Sequence, residues 1–321
     1  MKTDQGQETA AARAAAPVVR IDGLTKRFGP LTAVDDFSIE VARGDVFAFL
    51  GSNGSGKTTT FRCLLGIYAP TSGTVELFGT RFSAALAPRI GYLPEERGIY
   101  TKTSVRDTLS YFASLRGLSG ADRAHAVAAY LERVGLAAHA DKKINQLSSG
   151  MQQKVQLGTA LIHSPELLIL DEPFKGLDPV NRQSFLDMFS ELREQGTTIL
   201  YSTHVVDEVS RLANRLVMIK DGRRVLYGGV DAVRDQFGTE NIRLSYTGRL
   251  PERPDLFTAR TELNAAELTP QPGVTPETIV RALIATDDLE LREFAIDRPS
   301  LNSIFIEVAK AESAPESAAH T

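Results

Sequence analysis

Short apolar runs and segments of helical period alternate along most of this chain, and the character changes near Gly238. Residues 18–22, 37–41 and 46–50 are β-like runs, and the last leads directly into a glycine-rich turn that should open a helix. From 104 to 135 the pattern is helical. Val105, Leu109, Phe112 and Leu115 are spaced for one apolar face, with a break from Gly117 to Gly120, which predicts a helical insertion. A further helix is expected after Gly150, then a strand at Leu167–Leu170, a helix from Pro179 to about Glu194, a strand at 197–202 and a helix after His204. Strands alternating with helices imply an α/β fold whose mainly parallel sheet is covered on both faces. Residues 216–226 read as a hairpin with Asp221-Gly222 at its turn.

Beyond Gly238 the chain resembles a small α+β unit: a strand near 242–246, a Pro-rich connection, then helix, strand and helix. Thr275-Pro276 is a good helix start, and Ser300 precedes a helix whose Leu301, Ile304, Phe305 and Val308 share a face. The expected organisation is therefore a first domain over 17–238 and an accessory domain over 239–311, with disordered tails at 1–16 and 312–321. Residues 1–16 are rich in Ala and Gln and lack the cationic-then-apolar order of a secretory signal. No run approaches the roughly 18 apolar residues of a membrane span, so the chain is not expected to cross a membrane by itself.

Composition changes this picture little. With 321 residues, 42% hydrophobic and 24% charged, the chain can bury one large core and a smaller one. A net charge of -4 gives no electrostatic reason to expect nucleic acid as a partner. Cys63 is the single cysteine, cannot form an internal disulfide, and falls in a helical stretch at 58–67 where packing accounts for it.

Candidate chemistry begins at the glycine-rich turn. Gly51, Ser52, Asn53, Gly54, Ser55, Gly56, Lys57 and Thr58 match G-x-x-x-x-G-K-[ST], between a buried strand and a helix, and Thr59 continues it. Glycines let successive backbone N–H groups turn inward, and the helix N-terminus adds partial positive charge, so the turn is suited to ATP phosphates. Lys57 would reach the β and γ phosphates, and the Thr58 hydroxyl would ligate Mg²⁺. Leu167–Leu170 ends in Asp171 and Glu172, two carboxylates where α/β sheets place their ligands. Asp171 would hold Mg²⁺, and Glu172 would orient and deprotonate the attacking water. Leu147 to Gln153 opens a helix with hydroxyls and free N–H groups, which serves either as a plain cap or as an anion site.

These motifs, followed by Gly176-Leu177-Asp178 and Ser202-Thr203-His204, resemble in their order the ATP-binding subunit of an ABC transporter over roughly residues 18–230. The resemblance implies a P-loop NTPase cassette with an antiparallel β subdomain and a helical subdomain at about 95–163. Two subunits, identical or different, would pack head to tail with ATP between them. Ser148, Ser149, Gly150 and Met151 of one would then face the γ-phosphate held by Lys57 of the other. Asp178 would communicate across the dimer, and His204 would contact the γ-phosphate and help position Glu172. Phe28 matches the adenine-stacking position, where Tyr is more usual; packing within the first strand pair is the other use of a Phe there. Two departures stand out. Glu95 occupies a position where Gln is common, and Ser149-Gly150-Met151 replaces Gly-Gly-Gln. Glu95 could still contact Mg²⁺, while adding negative charge beside the γ-phosphate.

Pro94 to Gly98, the Met-Gln-Gln-Lys run at 151–154 and the stretch 298–305 resemble bacterial subunits of sodium-efflux and drug-export systems, which carry a small C-terminal domain. That resemblance implies export of an ion, drug or other small molecule, an integral membrane permease as partner, and a cytoplasmic place on the inner face of the cell membrane. The alternative is a soluble ABC ATPase acting on nucleic acid or ribosomes. The short span between Lys57 and Ser148 leaves no room for a long coiled coil, and the single phosphate loop and lone cysteine argue against the two-cassette and zinc-bearing types. Residues 240–310 form no metal-ligand cluster, so a packing or dimer-contact role is expected of the C-terminal unit rather than sensing.

Overall fold

Val46–Leu50 is buried at every position, and a strand with two buried faces needs a neighbour on each side and cover above and below. The computed structural model, which describes residues 16–96, 98–237, 241–286, 288–297 and 300–311, supplies them. The described chain divides into two compact units between Gly228 and Gly229.

In the first unit the strands are β1 (Val19–Phe28), β2 (Leu31–Val41), β3 (Val46–Leu50), β4 (Ser72–Leu77), β5 (Ile90–Leu93), β6 (Leu167–Leu170), β7 (Thr198–Thr203), β8 (Arg215–Lys220) and β9 (Arg223–Gly229). The helices are α1 (Lys57–Leu64), α2 (Val105–Leu115), α3 (Gly120–Arg133), α4 (Ser149–Leu161), α5 (Pro179–Glu194) and α6 (Val206–Leu212). Six strands form one sheet in the order β5-β6-β7-β3-β8-β9, parallel from β5 to β8. Three form a separate antiparallel sheet, β2-β1-β4. The parallel register sets Leu50 opposite Thr203, and Leu170 opposite Tyr201 and Leu93. The chain therefore leaves β3, β5, β6 and β7 along one edge, and the residues that follow each strand are neighbours.

The core joins the two sheets through aromatic rings. Phe49 lies 4.8 Å from Phe61 of α1, 5.5 Å from Phe47 and 6.1 Å from Phe37, all fully buried. In the helical insertion α2 and α3 converge on α4 at Gly158, where a Cβ would strike the Tyr130 ring and lie 2.7 Å from Leu109. The Tyr130 hydroxyl donates to the Lys154 carbonyl at 2.6 Å, so a buried polar tip is satisfied there. Val105, Thr108, Leu109 and Ala113 make the buried face of α2; Leu115, expected on it, is 60% exposed. Small and hydroxylated residues completed a face that counting large aliphatics alone misplaced.

The second unit holds α7 (Val230–Phe237), β10 (Asn241–Gly248), β11 (Phe257–Glu262), β12 (Ala265–Pro270), α8 (Pro276–Ile284), β13 (Leu289–Asp297) and α9 (Leu301–Ala311). Its antiparallel sheet runs β11-β12-β10-β13 over a core of Ile242, Leu244, Leu268, Ile279 and Leu283. Thr275 caps α8 as expected, accepting from Thr278 N, and Ser300 receives Ser303 N at the start of α9. Two expectations change. The unit begins at Gly229 rather than after 238, and the connection expected after β10 contains the hairpin β11–β12, turned at Asn264 with φ 61°. Only Phe257 of β11 is buried, so that edge strand carries no alternating apolar signal. Apart from Ala16, the expected tails lie outside the described residues. Among the described residues no helix is long and apolar enough to cross a membrane.

Phe49→Ala should cost about 3–5 kcal/mol of first-unit stability, whereas Phe28→Ala, removing a ring that is 41% exposed, should cost under about 1 kcal/mol. Urea titration of both variants checks this; equal losses would contradict the packing described.

Candidate functional site

The turn after β3 is built so that its backbone can close tightly. Gly54 and Gly56 take φ of 82° and 107°, and a Cβ at Gly51 would collide with the Ile219 carbonyl and the Ser55 side chain. The loop is braced from outside: Gly222 N donates to Ser55 O at 3.1 Å, and Asp35 N to Gly222 O at 2.9 Å. Ser52, Asn53 and Gly54 are exposed, while Thr58 and Thr59 are half-buried. Lys57, the first residue of α1, is buried. Its ammonium donates to the carbonyls of Gly51 at 2.7 Å and Ser52 at 3.0 Å and lies 3.6 Å from Glu172 Oε1. Burial lowers its pKa, and Glu172, then Asp171 and Glu95, oppose that shift.

At the end of β6 the two carboxylates diverge. Ser202 on β7 donates its hydroxyl to Asp171 Oδ1 at 2.6 Å and accepts from Glu172 N at 2.8 Å, so one side chain fixes both acids. Burial raises the Asp171 pKa, while Ser202 and Thr58 favour its charged form. Glu172 holds φ at 50°, a left-handed conformation costing a non-glycine residue about 1–3 kcal/mol. That turn carries its side chain back between Lys57 and His204, whose Nδ1 is 3.0 Å from Glu172 Oε2. A carboxylate only accepts, so Nδ1 carries the proton and Nε2 is left to face another partner. Behind His204, Thr203 donates to buried Glu208, whose pKa burial raises.

Asp171 Oδ2 and Glu172 Oε1 are buried without a hydrogen-bond partner among the described residues. Glu172 Oε1 looks to Lys57; Asp171 Oδ2, near Thr58, fits the preference of a hard cation for oxygen. Among the described residues no group of three or more His, Cys, Asp or Glu could hold a metal alone. A cation here has to take its other ligands from substrate and water, as Mg²⁺ commonly does.

Glu95, just past β5, joins this group, pairing through Oε1 with Lys175 Nζ at 2.6 Å. Ser148 to Met151 and Asp178 form a second cluster at adjoining helix starts. Ser148 Oγ caps α4 by accepting from Met151 N at 3.3 Å. Asp178 Oδ1 caps α5 by accepting from Val180 N and Asn181 N, each at 3.0 Å, which lowers its pKa. A Cβ at Gly150 would lie 2.8 Å from Asn181 Nδ2, so the two helix starts touch. Phe28 stands at the end of β1, edge-on to Tyr68 with ring centroids 5.3 Å apart and Lys26 Nζ 4.9 Å from its own centroid. Sequence reasoning gave no role to Ser202, Lys175, Gln153 or Gln156, since only the β6–β7 register and the fold of α4 bring them to the acids.

Residues 34–175 match the family model described as "ABC transporter", and residues 228–309 that of "ATP-binding protein DrrA1-3-like, C-terminal domain". The chain is 35% identical over 300 residues to the uncharacterized ABC transporter ATP-binding protein YhaQ of Bacillus subtilis, covering 90% of this chain and 98% of that one. It is 36% identical over 256 residues to the Nod factor export ATP-binding protein I of Paraburkholderia xenovorans, covering 78% and 84%. A solved structure titled "Structure of ATP binding subunit of ABC transporter" aligns with TM-score 0.64 and 29% identity, over 69% of this chain and 93% of that one.

Asp171→Asn should raise the thermal midpoint of the nucleotide-free protein near neutral pH. Because burial lifts this pKa above its unfolded value, the folded chain holds the proton longer, and ionisation at higher pH costs stability. The gain should shrink as pH falls toward about 4. A variant less stable than wild type at neutral pH would mean that the bond from Ser202 outweighs the burial cost.

Proposed function

Since this chain belongs to the ATP-binding subunits of ABC transporters, a family that hydrolyses ATP, we propose that it powers export of an ion, drug or other small molecule through a separate integral membrane permease. The observation that carries the catalytic half of this reading is the Glu172 carboxylate, held by backbone strain between Lys57 and His204. Nod factor export by a relative supports the direction. Work with a permease would place the subunit at the inner face of the cell membrane.

In this reading the N–H groups of the loop from Gly51 to Thr59 cradle the phosphates, and Lys57 exchanges its carbonyl partners for β and γ oxygens. Phe28, 41% exposed, would stack on the adenine. Thr58 and Asp171, with Glu95 nearby, would hold the Mg²⁺ that arrives with ATP, which offsets phosphate charge. Glu172 takes the proton from water as the water oxygen bonds to the γ-phosphorus and the bond to the bridging oxygen breaks, releasing ADP and phosphate. His204 holds Glu172 in place through Nδ1 and offers Nε2 to the γ-phosphate.

A second ATP-binding subunit, the same chain or a related one, supplies Ser148 to Met151 to the γ-phosphate. The start of α4, a helix N-terminus capped by the Ser148 hydroxyl, supports that role. Asp178, beside it at the start of α5, would report closure to the partner.

Glu172→Gln should leave ATP binding within a few-fold of wild type, cut kcat by about a hundredfold or more, and accumulate an ATP-bound dimer. Nucleotide titration, phosphate release and gel filtration with ATP test the three parts. Hydrolysis at the wild-type rate would remove Glu172 from its role as base.

A further inference from the structure

The nucleotide site gathers more acid than its loop lysine can offset. Glu95, Asp171 and Glu172 all act on the charge of Lys57, and Glu95 and Glu172 both act on Asp171 as like charges. Lys57 lies against Glu172 at 3.6 Å, which leaves Glu95 in need of a cation of its own before a triphosphate enters. Lys175 supplies it at 2.6 Å.

An ion pair between exposed, mobile side chains does little. Here the backbone on both sides is clamped by one helix. The Gln156 side-chain amide donates to the carbonyls of Pro94 at 3.3 Å and Glu96 at 3.1 Å, on either side of Glu95. The Gln153 amide donates to the carbonyls of Pro173 at 2.8 Å and Lys175 at 3.3 Å. Both glutamines are buried and share a face of α4, the helix that Ser148 caps. The segment after β5 and the segment after β6 are thus tied to the same helix, and the pair they carry is held in reach.

We propose that Lys175 is a positioning residue for nucleotide binding: it holds and neutralises Glu95, so that this carboxylate does not repel the incoming phosphates. The proposal rests on the reading of Glu95 as a neighbour of the γ-phosphate and Mg²⁺. It explains how a carboxylate can stand where an amide is common, since the charge is answered from the loop that follows Glu172.

The test is a double-mutant cycle on the full chain. KM for MgATP, kcat and Mg²⁺ dependence are measured for wild type, Lys175→Gln, Lys175→Arg, Glu95→Gln and the Lys175→Gln/Glu95→Gln double variant, at low and high salt. Lys175→Gln should raise KM about tenfold at low salt with a smaller change in kcat, and the gap should narrow as added salt screens the unpaired Glu95. Lys175→Arg should stay near wild type. In the Glu95→Gln background Lys175→Gln should change nothing, the double variant keeping the KM of Glu95→Gln alone. A penalty of equal size in both backgrounds overturns the proposal, because Lys175 would then act on the phosphates or the fold directly. So does an unchanged KM in Lys175→Gln. The underlying reading fails separately, if Glu95→Gln alone leaves Mg²⁺ dependence and KM unaltered.

Discussion

A buried ammonium must be paired, and the pairing of Lys57 with Glu172 sets the terms for the first unit. For the two to meet, the turn after β3 and the turn after β6 have to open on the same edge of the sheet, although β7 lies between those strands. Parallel pairing does this, with Leu50 in register with Thr203 and Leu170 with Tyr201. Ser202 on the intervening strand then reaches Asp171 and the Glu172 amide, and His204, two residues on, reaches Glu172. A shift of one residue along β7 would turn Ser202 to the other face and break both bonds. Register, more than any single contact, makes the site.

The resulting arrangement is costly to hold. Burial disfavours the charge on Asp171 and the charge on Lys57, and Glu172 sits in a backbone conformation that glycine would adopt more easily. None of these terms favours the fold of the chain alone. In the proposed reading, phosphates would answer the charge of Lys57 and a cation that of Asp171. On that reading, part of what burial costs these two groups would return as affinity for MgATP.

What could be read in the sequence follows from how local each signal is. Val46–Leu50 and Leu167–Leu170 were legible to the residue because a strand buried on both faces is written as an unbroken apolar run. Pro179–Glu194 was legible because Asp178 and Pro179 mark its start. The phosphate loop was legible because its glycines answer a backbone requirement that no other residue meets. By contrast, β11 buries one side chain and gives no alternation, and β4 is buried only at Val75 and Leu77. Ser202, Gln153 and Gln156 were missed for a different reason. Their value lies in partners some 20 to 60 residues away in the chain, and nothing in the residues beside them names those partners.

Of the two departures, Ser149-Gly150-Met151 can be weighed by what it leaves free. Met151 lacks a side-chain amide, but its backbone N–H is the donor that Ser148 Oγ accepts, so the cap of α4 does not depend on the residue type at 151. Ser148 accepts from within the helix and keeps its hydroxyl proton for an outside acceptor, which makes capping and phosphate binding compatible in one side chain. Asp178 differs. Oδ1 takes Val180 N and Asn181 N, and Oδ2 takes the Asn181 amide, so its carboxylate is already committed to the start of α5. In the proposed dimer a signal through Asp178 would travel as movement of α5, whereas one through Ser148 would be a direct bond. Gly150 lies against the Asn181 side chain, so the segments that carry Ser148 and Asp178 are in contact.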